Sequence, residues 1–180
     1  MWYVLKCRDG QEEALVRSCT GRIAPDALEA AFLFRCERLW RSEGAWKRVE
    51  RLMFPGYVFL QSRNPDRLSE ALKPYRDMHM VMEDPDYLFP VYEEEEQALR
   101  RLCGERHFLK LSYGYRDRES GRDCITQGPL KGLDRQIREL DWHRRFARVE
   151  MALAKRTALL WAGIGLDERR IQNGAQASAK

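Results

Sequence analysis

No apolar run in the 180 residues approaches the roughly 20 that a membrane-spanning helix needs. The opening stretch, Met1 to Gly10, carries Lys6, Arg8 and Asp9 and reads as a strand, not as a basic region followed by an apolar one. A targeting peptide and a membrane partner are therefore not expected, and the expected compartment is the cytoplasm. The five cysteines (Cys7, Cys19, Cys36, Cys103 and Cys124) are odd in number, and no two are spaced as a metal-ligand pair. The three histidines, His79, His107 and His143, form no ligand spacing either. Neither a disulfide framework nor a zinc site is expected, and the cysteines read as small core residues of a reducing compartment. The sequence has no Walker loop, no glycine-rich dinucleotide fingerprint, and no Ser or Cys nucleophile beside a base. The carboxylate run Glu93 to Glu96 suits the first turn of a helix better than acid–base chemistry. No catalytic activity and no cofactor are expected. Internal repeats and low-complexity tracts are absent as well.

What is present is an ordinary globular composition. Hydrophobic residues make up 44% and charged residues 33%, with a mean hydropathy of -0.62. The length suits one domain, or two small ones of about 100 and about 60 residues. Charge is divided unevenly. Residues 1–106 hold 17 basic and 19 acidic side chains, whereas residues 107–180 hold 15 and 9. An excess of cations confined to the second half points that half towards a polyanion, with a merely solubilising surface as the bland alternative.

The pattern along the chain predicts an α+β first domain. Trp2 to Leu5 is β-prone and ends at the turn signal Asp9-Gly10. Gln11 to Thr20 places Ala14, Leu15 and Cys19 at helical spacing, with Glu12 and Glu13 where the helix dipole favours acids and Gly21 as its stop. Ala31 to Trp40 and Trp46 to Leu52 flank Ser42-Glu43-Gly44 and predict a hairpin rich in arginine. Tyr57 to Gln61 predicts a strand after Pro55-Gly56, and Pro65 to Lys73 a helix stopped by Pro74. His79 to Met82 predicts a short strand, and Val91 to Leu102 a helix.

Gly104 to Gly121 reads as a polar connection. From Arg122 onward only short strands are expected: Asp123 to Ile125, Gln136 to Leu140, Phe146 to Leu153 and Thr157 to Ala162, punctuated by Gly128, Gly132 and Gly163. Such spacing argues for a small barrel. The expected organisation is 1–105 as the first domain, 106–121 as a linker, 122–168 as the barrel and 169–180 as a frayed tail.

Two motifs stand out. Phe54-Pro55-Gly56-Tyr57-Val58-Phe59 puts two aromatic side chains around a corner that Pro55 and Gly56 shape. Gly128-Pro129-Leu130-Lys131-Gly132-Leu133 projects a basic loop, followed by Asp141-Trp142-His143-Arg144-Arg145. Each alone is a common loop. In this order, and after an opening Trp2-Tyr3-Val4, they resemble the NusG family of transcription elongation factors. With Gly44-x-Trp46, Ser112-x-Gly114-Tyr115 and His143-Arg144-Arg145-x-Ala147, the pattern is most similar to its specialised antitermination branch, LoaP. The resemblance spans roughly residues 2–103 and 110–167. It departs at Phe34, where the family usually has proline, at Arg122 for a glycine, and at Ala154-Lys155-Arg156 for a Phe-Gly-Arg turn.

The resemblance implies a NusG N-terminal (NGN) domain, an antiparallel sheet flanked by helices, followed by a KOW-type β-barrel. It implies that Trp2, Phe54, Pro55 and Tyr57 meet the clamp helices of the RNA polymerase β′ subunit. Arg8, Gln11 and Arg76 match positions that in some paralogues touch the non-template DNA strand. Glu70 stands where a neutral or polar residue would help, so only weak, salt-sensitive contact is expected. The barrel's basic residues, Lys131, Arg135, Arg138, His143, Arg144, Arg145, Lys155 and Arg156, are expected to meet structured nascent RNA. The alternatives left open are a KOW-type RNA-binding or ribosome-associated protein, and a housekeeping NusG whose barrel docks a ribosomal protein or Rho.

Overall fold

A computed structural model describes residues 1–77 and 87–167. The strand expected at His79 to Met82 and the tail 169–180 lie outside them. In chain order the elements are β1 (Trp2–Lys6), α1 (Glu12–Arg22), β2 (Ala30–Phe32), β3 (Arg35–Ser42), β4 (Ala45–Leu52), β5 (Tyr57–Gln61), α2 (Pro65–Asp77), β6 (Leu88–Val91), α3 (Glu93–Cys103), β7 (Phe108–Leu109), β8 (Ser112–Arg116), β9 (Asp123–Gln127), β10 (Ile137–Asp141), β11 (Phe146–Leu153) and β12 (Arg156–Leu166). They divide into two compact units. One comprises residues 1–34, 54–101 and 152–158; the other comprises 35–53, 102–151 and the remainder from 159.

The first unit is built on an antiparallel sheet in the order β2-β5-β1-β6. Alternate side chains of a strand point to opposite faces, and both faces of β1 are buried: Trp2 and Val4 on one, Tyr3 and Leu5 on the other. The Tyr3–Leu5 face packs on the apolar stripes of two helices. Leu15 and Cys19 come from α1, and Leu68, Leu72 and Tyr75 from α2. The opposite face is aromatic. Trp2, Phe32, Phe34 and Phe59 meet mostly edge to face at 4.7–5.9 Å between centroids, and Phe54 joins at 5.6 Å from Phe59. Phe34 is a central ring of this cluster and is 2% exposed.

In the second unit, β3 and β4 form the expected hairpin, registered Ser42↔Ala45 to Arg35↔Leu52 across Glu43-Gly44, and β7 joins β3 in parallel. A five-stranded sheet follows the order β10-β11-β12-β8-β9. Several glycines are dictated by space, Gly163 and Gly128 among them. A Cβ on Gly163 would fall 2.1 Å from the Glu37 carbonyl oxygen, because β12 passes against the backbone of β3. Gly128, at φ +92°, would put a Cβ 2.6 Å from Ser112 Cα; the loop it opens is tied down by the Leu130 N–H donating to Ser112 Oγ at 2.9 Å.

Three expectations need correction. The stretch 104–121 is not a plain connection, since it holds β7 and β8, and β8 is an interior strand of the five-stranded sheet. It pairs on one side with β9 in a local antiparallel hairpin (Arg116↔Asp123) and on the other with β12 (Ile164↔Ser112) in parallel and distant in sequence. The helix α2 runs through Pro74 to Asp77. A proline this close to a helix end removes one hydrogen bond at most, so it does not stop the helix. Gly21 lies inside α1, whose cap is Ile23, with its N–H on the Cys19 carbonyl.

Candidate functional site

The motif Phe54 to Phe59 forms a corner held from two sides. The Gly56 N–H donates to Glu12 Oε1 at 2.8 Å, and the Cys7 N–H donates to the Gly56 carbonyl at 2.9 Å. Glu12 is 3% exposed, so its carboxylate serves this corner as well as the start of α1. Of the residues expected to meet polymerase, Trp2 is 1% and Phe54 4% exposed, both inside the aromatic cluster. The Arg100 guanidinium on α3 lies 4.4 Å over the Trp2 ring. Tyr57 is half-buried and Pro55 exposed. The motif is thus a core corner with a partly accessible rim. Among the expected DNA contacts, Arg8 and Gln11 are exposed neighbours, the Gln11 N–H donating to the Arg8 carbonyl at 3.0 Å. The Arg76 side chain lies outside the described residues.

The expected RNA-binding residues do not behave as one cluster. Lys155 and Arg156 belong to the first unit. There the tight turn Ala154-Lys155 has both residues at φ 56°, a conformation L side chains adopt reluctantly. Glu95, 8% exposed, accepts both amide hydrogens, at 2.8 Å from Ala154 and 2.9 Å from Lys155, and also that of Tyr92 at 3.0 Å as the reciprocal cap of α3. Lys155 Nζ stands 4.3 Å over Tyr92 and the Arg156 guanidinium 4.4 Å over Phe89. These cations are seated on aromatic rings of their own unit.

In the second unit Arg138 is clamped by Glu150 through two hydrogen bonds of 2.7 and 2.8 Å, which holds the Glu150 carboxyl below its ordinary pKa and cancels the local charge. Lys131 and Arg135 are exposed on the loop opened by Gly128. His143 and Arg144 are exposed on the turn between β10 and β11, shaped by the Arg144 N–H donating to Asp141 Oδ1 at 2.7 Å.

That turn is braced by a network that sequence reasoning did not find. Asp123 accepts two hydrogen bonds from Arg116 (2.8 and 3.0 Å) and one from the Trp142 indole (2.8 Å). The Arg116 hydrogen bond, helped by that of Trp142 and opposed by partial burial, lowers the Asp123 pKa from its ordinary value. Nearby, the Arg145 guanidinium lies 5.2 Å from the Trp46 ring on the hairpin. Arg38 sits 5.3 Å from Trp161 and 5.5 Å from Phe146, and Arg148 lies 5.3 Å from Trp161 on its own account. Between hairpin and turn is a groove of about 470 Å³ lined by Arg38, Leu39, Trp40, Arg41, Trp46, His143, Arg144 and Phe146. Trp40 is 59% exposed and Trp46 38%. The sequence signal was the arginine–tryptophan interleaving of residues 38–48; what it could not show is that residues 143–146 meet it.

No protein-family model and no curated protein matches the chain. Solved structures similar to it include the following two. One is a crystal structure of the MjSpt4:Spt5 complex, at 13% identity over 89% of this chain and 92% of that one, with a TM-score of 0.33. The other is Thermotoga maritima NusG, in a structure concerned with its domain interaction, at 17% identity over 88% and 92%, with a TM-score of 0.39. Likenesses at such identities and TM-scores decide neither fold nor function. Among the described residues no group of three or more His, Cys, Asp or Glu is placed to hold a metal ion, and no helix is long and apolar enough to cross a membrane. Four cysteines are buried, and burial raises Cys7 and Cys103 to about 12 and Cys19 and Cys36 to about 11, so they are inert thiols packed as core.

Proposed function

We propose that the chain is a transcription elongation and antitermination factor that binds RNA polymerase through its first unit and nucleic acid through its second. In this reading residues 1–105 act as an NGN-type domain and 122–168 as the core of a KOW-type barrel, with β8 as an added strand, in a protein of the LoaP kind. The observation that carries it is the second apolar face of the first unit's sheet. One face of that sheet completes a core with α1 and α2; the other gathers five aromatic rings around the Phe54-Pro55-Gly56 corner. Aromatic anchors are what a groove for a partner helix uses. Trp2 and Phe54 are buried, so docking on the β′ clamp helices requires that face to be uncovered, whereas Pro55 and Tyr57 form the rim a helix meets first. A bound factor acts by shifting the clamp towards its closed population, which suppresses pausing without any chemical step.

Contact of Arg8 and Gln11 with non-template DNA, and of Lys131, Arg135, His143 and Arg144 with structured nascent RNA, completes the proposal. The cationic groove on the second unit also suits the alternative of an RNA-binding or ribosome-associated module. Purified core polymerase separates the two in the absence of nucleic acid. The full chain is expected to bind it, and Tyr57→Ala to weaken binding by about 1–2 kcal/mol without changing the fold. A chain that binds RNA but not polymerase is the alternative protein.

A further inference from the structure

We infer that the groove between the β3–β4 hairpin and the Asp141–Arg145 turn is a seat for a single-stranded polynucleotide segment, whose bases stack on Trp40 and Trp46 while its phosphates meet Arg41, His143 and Arg144. This rests on the nucleic-acid part of the reading above and extends it from the basic turn at His143 and Arg144 to the tryptophans of the hairpin.

Three observations carry it. The first is exposure. Trp40 and Trp46 are the two large exposed aromatics of the described residues, at 59% and 38%, within a groove of about 470 Å³. Large side chains left in water at one place, beside a cavity, mark a contact surface. The second is charge. The groove's charged lining is cationic, with Arg38, Arg41 and Arg144 and no carboxylate. A neighbouring hollow of about 590 Å³ at the end of the same sheet mixes Arg116 and Arg118 with Glu139 and Asp141 and lacks this bias. Asp141, outside this lining, stands 3.9 Å from Arg144 Nε, and the Arg144 side chain remains 75% exposed. The third is shape. Arg41 and Trp46 are directly opposite in the hairpin register and share a face, whereas Trp40, one residue along, belongs to the other face. The two indoles thus lie on opposite faces of the ribbon yet line one groove, and a flexible chain can pass from one to the other. A rigid duplex cannot stack on rings set on two faces of a ribbon, but unpaired bases can, since each has its own π face.

Arg38 lies beside the tilted pair Phe146 and Trp161, 5.5 and 5.3 Å from their centroids, and its Nε is buried without a hydrogen-bond acceptor among the described residues. A cation held there adds a fixed positive potential to the floor.

The test uses the full chain and fluorescently labelled oligomers of about eight nucleotides, within the range of single-strand sites: oligouridylate, its deoxy counterpart, and a stable RNA hairpin. Wild type is expected to bind the unstructured oligomers. Trp40→Ala should weaken that binding roughly five-fold or more, with Trp40→Phe restoring most of it, because a phenyl ring also stacks. Arg144→Gln should flatten the slope of log affinity against log salt by about 0.7, the contribution of one single-strand phosphate. Tighter binding of the ribo-oligomer identifies a transcript as the occupant; tighter binding of the deoxy-oligomer identifies a displaced DNA strand. No binding of either oligomer, or equal affinity in Trp40→Ala, overturns the site. If the hairpin RNA still binds in that event, the nucleic-acid reading survives; if it too fails to bind, that reading falls with it.

Discussion

The chain holds two gatherings of aromatic rings with opposite relations to water. In the first unit Trp2, Phe34, Phe54 and Phe59 are all nearly inaccessible, each ring facing another. In the second unit Trp40 is 59% and Trp46 38% exposed, both among arginines. Both regions are conspicuous in the sequence, yet residue type does not separate them. What separates them is the neighbour. An aromatic residue flanked by apolar ones on a strand buried on both faces becomes core; one flanked by Arg and Lys on a hairpin ribbon stays available. The first region stabilises the fold and can serve a partner only after rearrangement, whereas the second offers a surface as it stands.

The sharpest way to break this comparison is to truncate one ring. Phe54→Ala removes a buried ring and should cost about 3–5 kcal/mol of stability, read as a lower thermal or denaturant midpoint. A loss below about 1 kcal/mol would show that the cluster is not core. Because this variant perturbs folding, it cannot test polymerase docking, and Tyr57→Ala is the variant to use there.

Next in size is the turn held by Glu95. Glu95→Ala deprives the Ala154 and Lys155 amides of a charged acceptor at a backbone already at positive φ, and a loss of about 1–3 kcal/mol is expected. Glu95→Gln, which retains an acceptor oxygen, should recover part of it. Equal stability of all three proteins would remove the carboxylate from the account of that turn.

A smaller effect concerns acid. The Asp123 carboxyl is held below the usual carboxylate value chiefly by its hydrogen bond from Arg116. Its stabilisation is therefore present above about pH 4, the unfolded value, and is lost as pH falls through the lower native value. Between about pH 5 and pH 2 the wild type should lose more stability than Asp123→Asn, measured by denaturant titration at each pH. Identical acid profiles would mean that the Arg116–Asp123–Trp142 network does not brace the second unit.

The smallest stability effect is the most telling contrast with Phe54. Trp40→Ala should leave the midpoint within about 0.5 kcal/mol of wild type, since the ring is a surface one. A large loss would make Trp40 structural and move it to the other side of the comparison.

Local signals were legible in proportion to how locally they act. The β3–β4 hairpin follows from strand-like runs on either side of Glu43-Gly44, and α3 from four acids ahead of Leu99 and Leu102. The motif residues of the Phe54 corner were legible as a corner, but their burial was not, because it depends on Phe34 and Phe59 arriving from other strands. Strand β8 has one local partner, β9, across the turn at Asp117 to Arg122, and one distant parallel partner, β12, about fifty residues on; its polar and glycine-containing run Ser112 to Arg116 reads as a connection until both pairings are seen. Lys155 and Arg156 were grouped with the basic loops on type and nearness in sequence, yet they are seated on Tyr92 and Phe89 in the first unit. The groove needed residues 38–46 and 143–146 in one place, a fact of tertiary structure that no spacing encodes.

The central claim is that this chain changes how polymerase elongates. Single-round transcription by purified bacterial polymerase through a template with defined pause and terminator sites tests it directly, with and without the full chain. Shorter pauses and more read-through are expected, with Tyr57→Ala reducing the effect. Unchanged pausing and termination at concentrations where the chain binds RNA would contradict the account and leave a nucleic-acid-binding protein in its place.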